Sequence, residues 1–299
     1  MTTPLVFHPI YSQLDLPERH RFPIEKYVGI RDELINRGVE KARFVTPSAV
    51  DLSLLRTYYD SDYVEALTTG ALDKKAMRRI GFPWSEQLIE RTRTAVAGTC
   101  LTAKLALEHG KALNLTGGYH HAFADFGSGF CLFNDLYLAA KTMLQTSSIE
   151  NVLIVDLDVH QGDGTAAMLE HNPYVFTCSI HCEKNFPFRK QHSDLDIGLE
   201  VGLTDRDYLK IVSTTLNDLI EQLNPSLVLY DAGVDIWQQD SLGKLNISWQ
   251  GLAERDHAVL EICQQKGVPV ATVIGGGYDK DHQRLAERHA LVVEQAARF

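Results

Sequence analysis

The chain has 299 residues, of which 44% are hydrophobic and 23% are charged, and its formal net charge at pH 7 is -10. This length and composition allow a sizeable hydrophobic core and exclude a low-complexity or fibrous chain. The negative charge argues against nonspecific binding to nucleic acid, which needs clustered lysine and arginine, although it is compatible with a local basic patch.

The cysteines and the N-terminal segment predict a location in the cytoplasm. The first residues lack the basic segment and long apolar core of a secretion signal. No stretch approaches the ~20 apolar residues that a membrane span needs. The five cysteines are odd in number and irregularly spaced, so we expect reduced thiols packed as small hydrophobic side chains.

Helices are predicted in three segments of the first half of the chain. They cover residues 24–38, 85–110 and 133–145. The second begins after Ser85, which suits an N-cap, and ends at Gly110, which suits a C-cap.

The second half of the chain predicts strands that alternate with helices. The apolar runs are hydrophobic throughout rather than alternating, which is typical of strands buried on both faces. Such an alternation predicts a parallel sheet wrapped by helices. The strands are predicted at 151–158, 174–180, 225–233 and 268–277, with helices at 205–224 and 248–267.

Each predicted strand ends in polar or flexible residues. In an open parallel sheet, ligands bind beyond the carboxyl ends of the strands, so these ends predict one shared site. The first half of the chain adds residues 115–123, where two histidines follow a glycine pair. The strand ends are DLDVH (156–160), SIHC (179–182), DAGVD (231–235) and GGGYD (275–279).

A metal site is indicated by Asp158, His160 and Asp235. Residues two apart on an extended chain point to the same side, so Asp158 and His160 could share one cation. Asp235 also follows a strand and is the best third candidate. Carboxylate and imidazole ligands suit Zn²⁺ or another borderline divalent metal, and three protein ligands leave a position for water or substrate. A lone Asp or His after a strand is more often a turn residue, so the prediction depends on the combination.

Proton transfer is predicted for the adjacent residues His120 and His121. An isolated histidine pair is commonly a surface feature, but this chain has spare carboxylates at Asp156 and Asp163 that could each orient one imidazole. Such pairs would supply a general base and a general acid beside an activated water molecule. Which histidine takes which role is left open by the sequence.

Taken together, these motifs resemble the histone deacetylase superfamily. The segments GGYHHA (117–122), SGFCLFND (128–135), DLDVHQGDGT (156–165), SIH (179–181), DAGVD (231–235) and GGGY (275–278) follow the order of that family. Residues 20–27, 80–85 and 231–248 are most similar to the class IV branch and its bacterial relatives.

The resemblance implies a three-layer α/β/α fold of the arginase/deacetylase type, formed by residues 1–299 as a single catalytic domain around a mainly parallel sheet of about eight strands. It also implies roles for site residues. One zinc ion would be held by Asp158, His160 and Asp235, with Asp156 behind His120 and Asp163 behind His121. Tyr278 would donate a hydrogen bond to the acyl oxygen, while Gly129, Phe130 and Phe186 would line a tunnel for the acyl-lysine. A potassium ion would lie near Asp156, Asp158, His160, Ser179 and Ile180.

Three positions depart from the family pattern. Gln161 stands where a second histidine often follows the metal-binding one, and Phe188 stands where many relatives have a glycine after the proline. Lys26 falls near the place of an arginine at the base of the pocket in many class I members. The acidic rim residue that grips the substrate backbone in some members has no recognisable counterpart.

The predicted function is therefore zinc-dependent removal of acetyl or longer acyl groups from lysine side chains in a protein or peptide, or from similar amines. The alternatives are an acetylpolyamine or small-metabolite deacetylase, a ureohydrolase, and an inactive module that binds acyl-amines. A ureohydrolase needs two metals and a D-x-H-x-D spacing, and Gly162 occupies the last position of that spacing. No direct nucleic-acid binding and no membrane span are expected, and the oligomeric state is left open.

Overall fold

The computed structural model describes residues 3–299, and within that range eight strands form one sheet. Every neighbouring pair is parallel, in the order β2-β1-β3-β8-β7-β4-β5-β6. The strands are β1 Leu5–Val6, β2 Phe44–Val45, β3 Lys111–Asn114, β4 Val152–Asp156, β5 Val175–Cys182, β6 Leu195–Leu199, β7 Leu227–Asp231 and β8 Val270–Val273.

Helices cover both faces of this sheet. On one face α5 packs against β3 and β8 and against α6, while on the other face α8, α9, α10 and α1 pack side by side. The resulting three-layer α/β/α architecture confirms the predicted fold class. The helices are α1 Lys26–Asn36, α2 Leu52–Tyr58, α3 Ser61–Thr69, α4 Lys74–Ile80, α5 Glu86–His109, α6 Asp135–Met143, α7 Asp163–Leu169, α8 Asp205–Leu223, α9 Trp249–Gln265 and α10 His282–Ala296.

The uninterrupted apolar run of β4 follows from its position in the sheet. Successive side chains of a strand point to opposite faces, and both faces are covered here. Ile154 packs into the cluster formed with α5 and α6, whereas Leu153 and Val155 belong to the cluster on the other side. All five residues of the strand are buried, so each position favours an apolar side chain.

The predicted helices and strands are all present, and all except β5 lie within their predicted bounds. The helix predicted for 85–110 is α5, and the Ser85 side chain accepts a hydrogen bond from the Leu88 N–H, as an N-cap does. Gly110 ends it with a positive φ of 83°, a conformation that favours glycine. Strands β4, β7 and β8 end earlier than predicted because their polar terminal residues belong to the loops of the site, whereas β5 continues to Cys182.

The register of the central strands brings these loops together. Asp156, the last residue of β4, lies opposite Ser179 of β5 and Asp231 of β7. The carboxyl ends of β3, β4, β7 and β8 therefore meet along one edge of the sheet.

Within the described range, no helix combines the length and the apolar character that crossing a membrane requires. The five cysteines are unpaired, as expected, and four of them are buried.

Candidate functional site

The centre of the site is a buried group formed by Asp158, His160 and Asp235. Their donor atoms all lie within 4.8 Å of one another. The His160 Nδ1 atom is 2.9 Å from Asp158 Oδ1 and 3.3 Å from Asp235 Oδ2. The structure thus brings together the three residues predicted to hold a metal.

Backbone groups fix the two carboxylates of this triad. The N–H of Val159 donates to Asp235 Oδ1 at 2.9 Å, and the N–H of Gly276 donates to Asp158 Oδ2 at 2.8 Å. Gly276 allows this approach because it has no side chain, and a β-carbon there would lie 2.2 Å from Asp235 Oδ2. Asp235 Oδ2 is buried and accepts no hydrogen bond from the described residues. That oxygen is directed at the centre of the triad.

The electrostatics of the triad favour a bound cation. Burial disfavours the charged form of His160, yet the adjacent carboxylates of Asp158 and Asp235 raise its pKa to about 10. Burial and the charge of Asp158 raise the pKa of Asp235. Two carboxylates and one imidazole in a space closed to water fit a divalent metal of the zinc type, which would compensate their charge.

Two histidine–carboxylate pairs stand beside the triad. His120 Nδ1 is 2.7 Å from Asp156 Oδ2, and His121 Nδ1 is 2.6 Å from Asp163 Oδ1. The two imidazole rings are 4.1 Å apart, measured between centroids. Each predicted carboxylate partner is therefore in place, and each can fix the orientation of its imidazole ring.

The two histidines differ in their electrostatic environment. Burial opposes protonation of His120, but the carboxylates of Asp156 and Asp158 outweigh it and raise the pKa of His120 well above its usual value. Burial and the neighbouring charge of His120 lower the pKa of His121 to about 4. A pair of titratable groups with pKa values driven apart is a common property of acid–base sites.

The loop that carries the histidines is held by the start of α6. Asp135 accepts hydrogen bonds from the N–H groups of Gly118 and Tyr119, at 3.1 and 2.7 Å. Asn134 caps α6 and donates to Thr165 Oγ1 at 2.9 Å. The FND end of the motif at 128–135 is thus a structural anchor, a role that the sequence analysis did not assign.

A further buried carboxylate, Asp231, was missed by the sequence analysis. Its Oδ2 atom lies 4.0 Å from His120 Nδ1, and neither carboxylate oxygen has a hydrogen-bond partner among the described residues. Burial and the charge of Asp156 raise the pKa of Asp231 well above its usual value. Asp231 could have been recognised in the sequence because it ends an apolar strand, but only Asp235 of the same motif was predicted to be a site residue.

Aromatic side chains line a narrow cavity that leads to the histidines. The ring of Phe186 lies 4.8 Å from that of His121, and Phe130 lies 6.1 Å from Tyr278, between ring centroids. Gly129 is close to His121, since a β-carbon there would lie 2.7 Å from the ring. The cavity has a volume of about 30 Å³ and is lined in part by Phe130, Gly129, His121 and Tyr278.

Tyr278 is held at the cavity by its backbone. Its N–H donates to Asp240 Oδ2 at 2.7 Å, and its carbonyl accepts from the Ser241 N–H at 3.2 Å. Burial and the charge of Asp235 raise the pKa of the Tyr278 phenol well above its usual value, so the hydroxyl keeps its proton and can donate a hydrogen bond. Asp240, which pairs with Arg288 at 3.6 Å, was not singled out by the sequence analysis.

Two of the three departures from the family pattern, Gln161 and Lys26, make hydrogen bonds that hold the loops of the site. Gln161 binds the backbone of Gln191, donating to its carbonyl at 2.8 Å and accepting from its N–H at 2.9 Å. Phe188 is 95% exposed beside the cavity wall. Lys26 lines the cavity and donates to the Gly275 carbonyl at 3.1 Å, and burial lowers its pKa to about 8.

The residues predicted to bind potassium lie together at the ends of β4 and β5. Ser179 and Ile180 are buried, and the Ser179 hydroxyl lies 3.0 Å from His181 Nδ1. The register places Ser179 opposite Asp156. Potassium binding there stays a prediction.

This fold, with a buried Asp–His–Asp triad and two histidine–carboxylate pairs at the carboxyl ends of its strands, defines a hydrolase of the arginase/deacetylase type. Residues 20–295 match the family model of the histone deacetylase domain. The chain therefore belongs to the histone deacetylase family.

The most similar proteins support this assignment. An uncharacterised protein of Picosynechococcus sp. (strain ATCC 27264 / PCC 7002 / PR-6) is 50% identical over 299 residues, which cover 100% of this chain and 99% of that protein. Histone deacetylase 2 of Arabidopsis thaliana is 30% identical over 284 residues, 92% of this chain and 73% of that protein. The crystal structure of the HDA15 HD domain shares the fold, with a TM-score of 0.80 and 21% identity, covering 99% of this chain and 88% of that one.

Proposed function

We propose that this deacetylase-family protein is a zinc-dependent amidohydrolase that removes acyl groups from lysine side chains or similar amines. The observation that carries the proposal is the buried triad of Asp158, His160 and Asp235 at the inner end of an aromatic-walled cavity. An acylated lysine side chain is neutral and mostly apolar, and so it suits such walls. The chemistry of the family supplies the reaction type.

The triad would hold one zinc ion through its two carboxylates and its imidazole. When bound, this metal would activate a water molecule and polarise the acyl carbonyl. Gly276 and Val159 keep the carboxylate oxygens in place through their N–H groups, as described above. A ureohydrolase is disfavoured because Gly162 stands where a second metal would need a carboxylate.

The separation of the histidine pKa values supports distinct roles. His121 is neutral at pH 7, because its pKa is lowered to about 4, and its ring packs against that of Phe186. We assign to it the transfer of a proton from the attacking water to the leaving amine. His120 is kept protonated by Asp156 and supports the negative charge that develops nearby.

Tyr278 completes the arrangement as the donor to the acyl oxygen. Its hydroxyl is protonated, and its backbone is anchored by Asp240. Potassium bound near Asp156, Asp158, His160, Ser179 and Ile180 would stabilise the loop that carries the triad. We also propose a single catalytic domain over residues 1–299, a class IV character and a cytoplasmic location.

A fluorogenic acetyl-lysine assay tests the proposal. The purified protein is stripped with a chelator, reloaded with zinc or manganese, and assayed with acetyl-lysine, long-chain acyl-lysine and acetylpolyamine substrates. We expect turnover that is lost on stripping and restored by one zinc per chain. Turnover that survives complete removal of metal, or zinc-loaded protein that binds the substrates without cleaving them, would contradict it.

A further inference from the structure

A strongly basic helix, α4, ends next to the segment that carries the cavity residues Gly129 and Phe130, in a chain whose formal net charge is -10. Four of the seven residues of α4 are basic, and all four are exposed. They form no ion pair with a carboxylate of the described residues. These residues are Lys74, Lys75, Arg78 and Arg79.

The C-terminal end of α4 is fastened to the cavity wall. The Phe130 N–H donates to the carbonyl of Ile80 at 2.7 Å, and the Gly129 N–H donates to the carbonyl of Arg79 at 3.3 Å. The guanidinium of Arg79 lies 3.9 Å from the ring centroid of Phe126 in the same wall segment. The basic helix is therefore attached directly to the segment that lines the cavity.

A second segment carries Phe188 and Arg189 shortly after Phe186 in the chain. Phe188 comes two residues after Phe186, which contacts His121, and its side chain is 95% exposed. The segment is firmly held, because Lys190 Nζ donates to the carbonyls of Asn185 and Pro187 at 2.9 and 2.8 Å. A fully exposed phenylalanine on a braced loop is unusual for a surface that contacts only water, and aromatic side chains with arginine are enriched in binding interfaces.

Few carboxylates offset these charges. Asp73 is occupied as the N-cap of α4, where it accepts from the N–H groups of Lys75 and Ala76. Asp125 and Glu183 are the remaining acids of the two wall segments, and neither lies within ion-pair distance of a lysine or arginine. Arg37, in contrast, is paired with Glu33 at 2.6 Å.

We propose that these two segments form a basic rim that binds acidic residues next to the acylated lysine of a polypeptide substrate. The basic rim consists of Lys74, Lys75, Arg78, Arg79, Phe188 and Arg189. This inference rests on the proposed function and narrows its substrate class, because complementary charge selects among partners. A polyamine or a lysine-rich tail is cationic and is repelled by the basic rim.

The charge of the whole chain favours a polypeptide over a nucleic acid. The basic rim is a local excess on a strongly negative protein, so a long polyanion would meet repulsion beyond it. A short acidic segment that flanks one acyl-lysine contacts only the basic rim. Phe188 then covers an apolar side chain of the same segment.

Peptide binding to the zinc-loaded full chain tests the inference. Three fluorescent peptides carry one central acetyl-lysine with flanks of glutamate, glutamine or lysine, and binding is followed by anisotropy. We expect the glutamate peptide to bind about tenfold more tightly than the lysine peptide at low salt, because a few exposed ion pairs together contribute a difference of this size. This difference in affinity between the two peptides should decrease at high salt.

Matched charge-reversal variants show whether the basic rim causes the preference for glutamate-flanked peptides. Lys75→Glu/Arg78→Glu should abolish the preference for glutamate flanks, whereas Lys104→Glu/Lys210→Glu, which reverses two exposed charges on α5 and α8, should retain it. Phe188→Ala should weaken binding of all three peptides several-fold, while Tyr174→Ala, at a side chain that is 59% exposed, should not.

Several outcomes would overturn the inference. Equal binding of the three peptides, tighter binding of the lysine peptide, or a preference unchanged in the rim variant would each do so. Tighter binding of a single-stranded RNA of matched charge than of the glutamate peptide would assign the basic rim to nucleic acid instead. Turnover of a flank-free acetyl-lysine amide by the unmodified protein is measured in parallel. Its absence would count against the proposed function, while the peptide affinities would still report on the basic rim.

Discussion

Replacing Gly276 with alanine would place a methyl group against both carboxylates of the metal triad. The added β-carbon would lie 2.2 Å from Asp235 Oδ2 and 2.5 Å from Asp158 Oδ2. Carbon and oxygen atoms in contact prefer a separation of about 3.5 Å, so these oxygens must move by roughly 1 Å. Metal–ligand distances tolerate only about 0.2 Å of change, and the site cannot absorb this displacement.

We therefore expect Gly276→Ala to weaken zinc binding by about tenfold to a hundredfold, the range found when the support of a metal ligand is lost. Zinc affinity is measured by competition with a chromophoric chelator, and folding is checked by thermal denaturation of the metal-free protein. Gly29→Ala is the control, because its β-carbon would meet only the Ala286 Cβ at 3.3 Å. A folded Gly276→Ala variant that binds zinc as tightly as the unmodified protein would refute the placement of the metal between these carboxylates.

Three other substitutions separate the roles of the surrounding residues. Tyr278→Phe should lower kcat by about a hundredfold to a thousandfold with zinc content unchanged, since it removes one donor to the developing oxyanion; near-normal turnover would contradict this role. His121→Ala should lower kcat by about a hundredfold or more, the size of a general acid–base contribution. A smaller loss than in His120→Ala would reverse the assignment. Asp231→Asn should stabilise the metal-free protein at pH 7 by roughly 1–3 kcal/mol, because it removes a buried unpaired carboxylate. Burial raises the pKa of Asp231 in the folded state. The Asp231 carboxyl therefore costs no folding stability below its unfolded pKa, and the stability of the unmodified protein falls as the pH rises through the folded pKa. The gain seen in urea denaturation should therefore disappear near pH 4, and a gain independent of pH would contradict this reasoning.

Much of the fold could be predicted because the central strands are buried on both faces. The uniform burial of β4 and β7 explains why their apolar runs were recognisable. The strands that were missed are short or lie at an edge. β1 and β2 have two residues each and β3 has four, while β6 alternates between exposed and partly buried positions before its buried last residue. Helices α2, α3, α4, α7 and α10 were also missed, and α10 is buried at nearly every position from Leu285 to Ala296, so its buried residues show no helical spacing.

The site residues on strand ends were easier to predict than those that act from other elements. Asp158 and His160 are two residues apart, and their convergence follows from local geometry. Asp240 and Gly276 act through backbone contacts with distant segments, and no local sequence pattern predicts such contacts. Charge on α4 was visible in the sequence, but its position beside Phe130 depends on the tertiary structure.

The most direct measurement is a crystal structure of the zinc-loaded protein with anomalous data collected on both sides of the zinc absorption edge. We predict one zinc ion per chain, bound by Asp158, His160 and Asp235 and facing the cavity lined by Tyr278. An anomalous peak elsewhere, or none at this triad in protein that is active on acyl-lysine, would contradict the central claim.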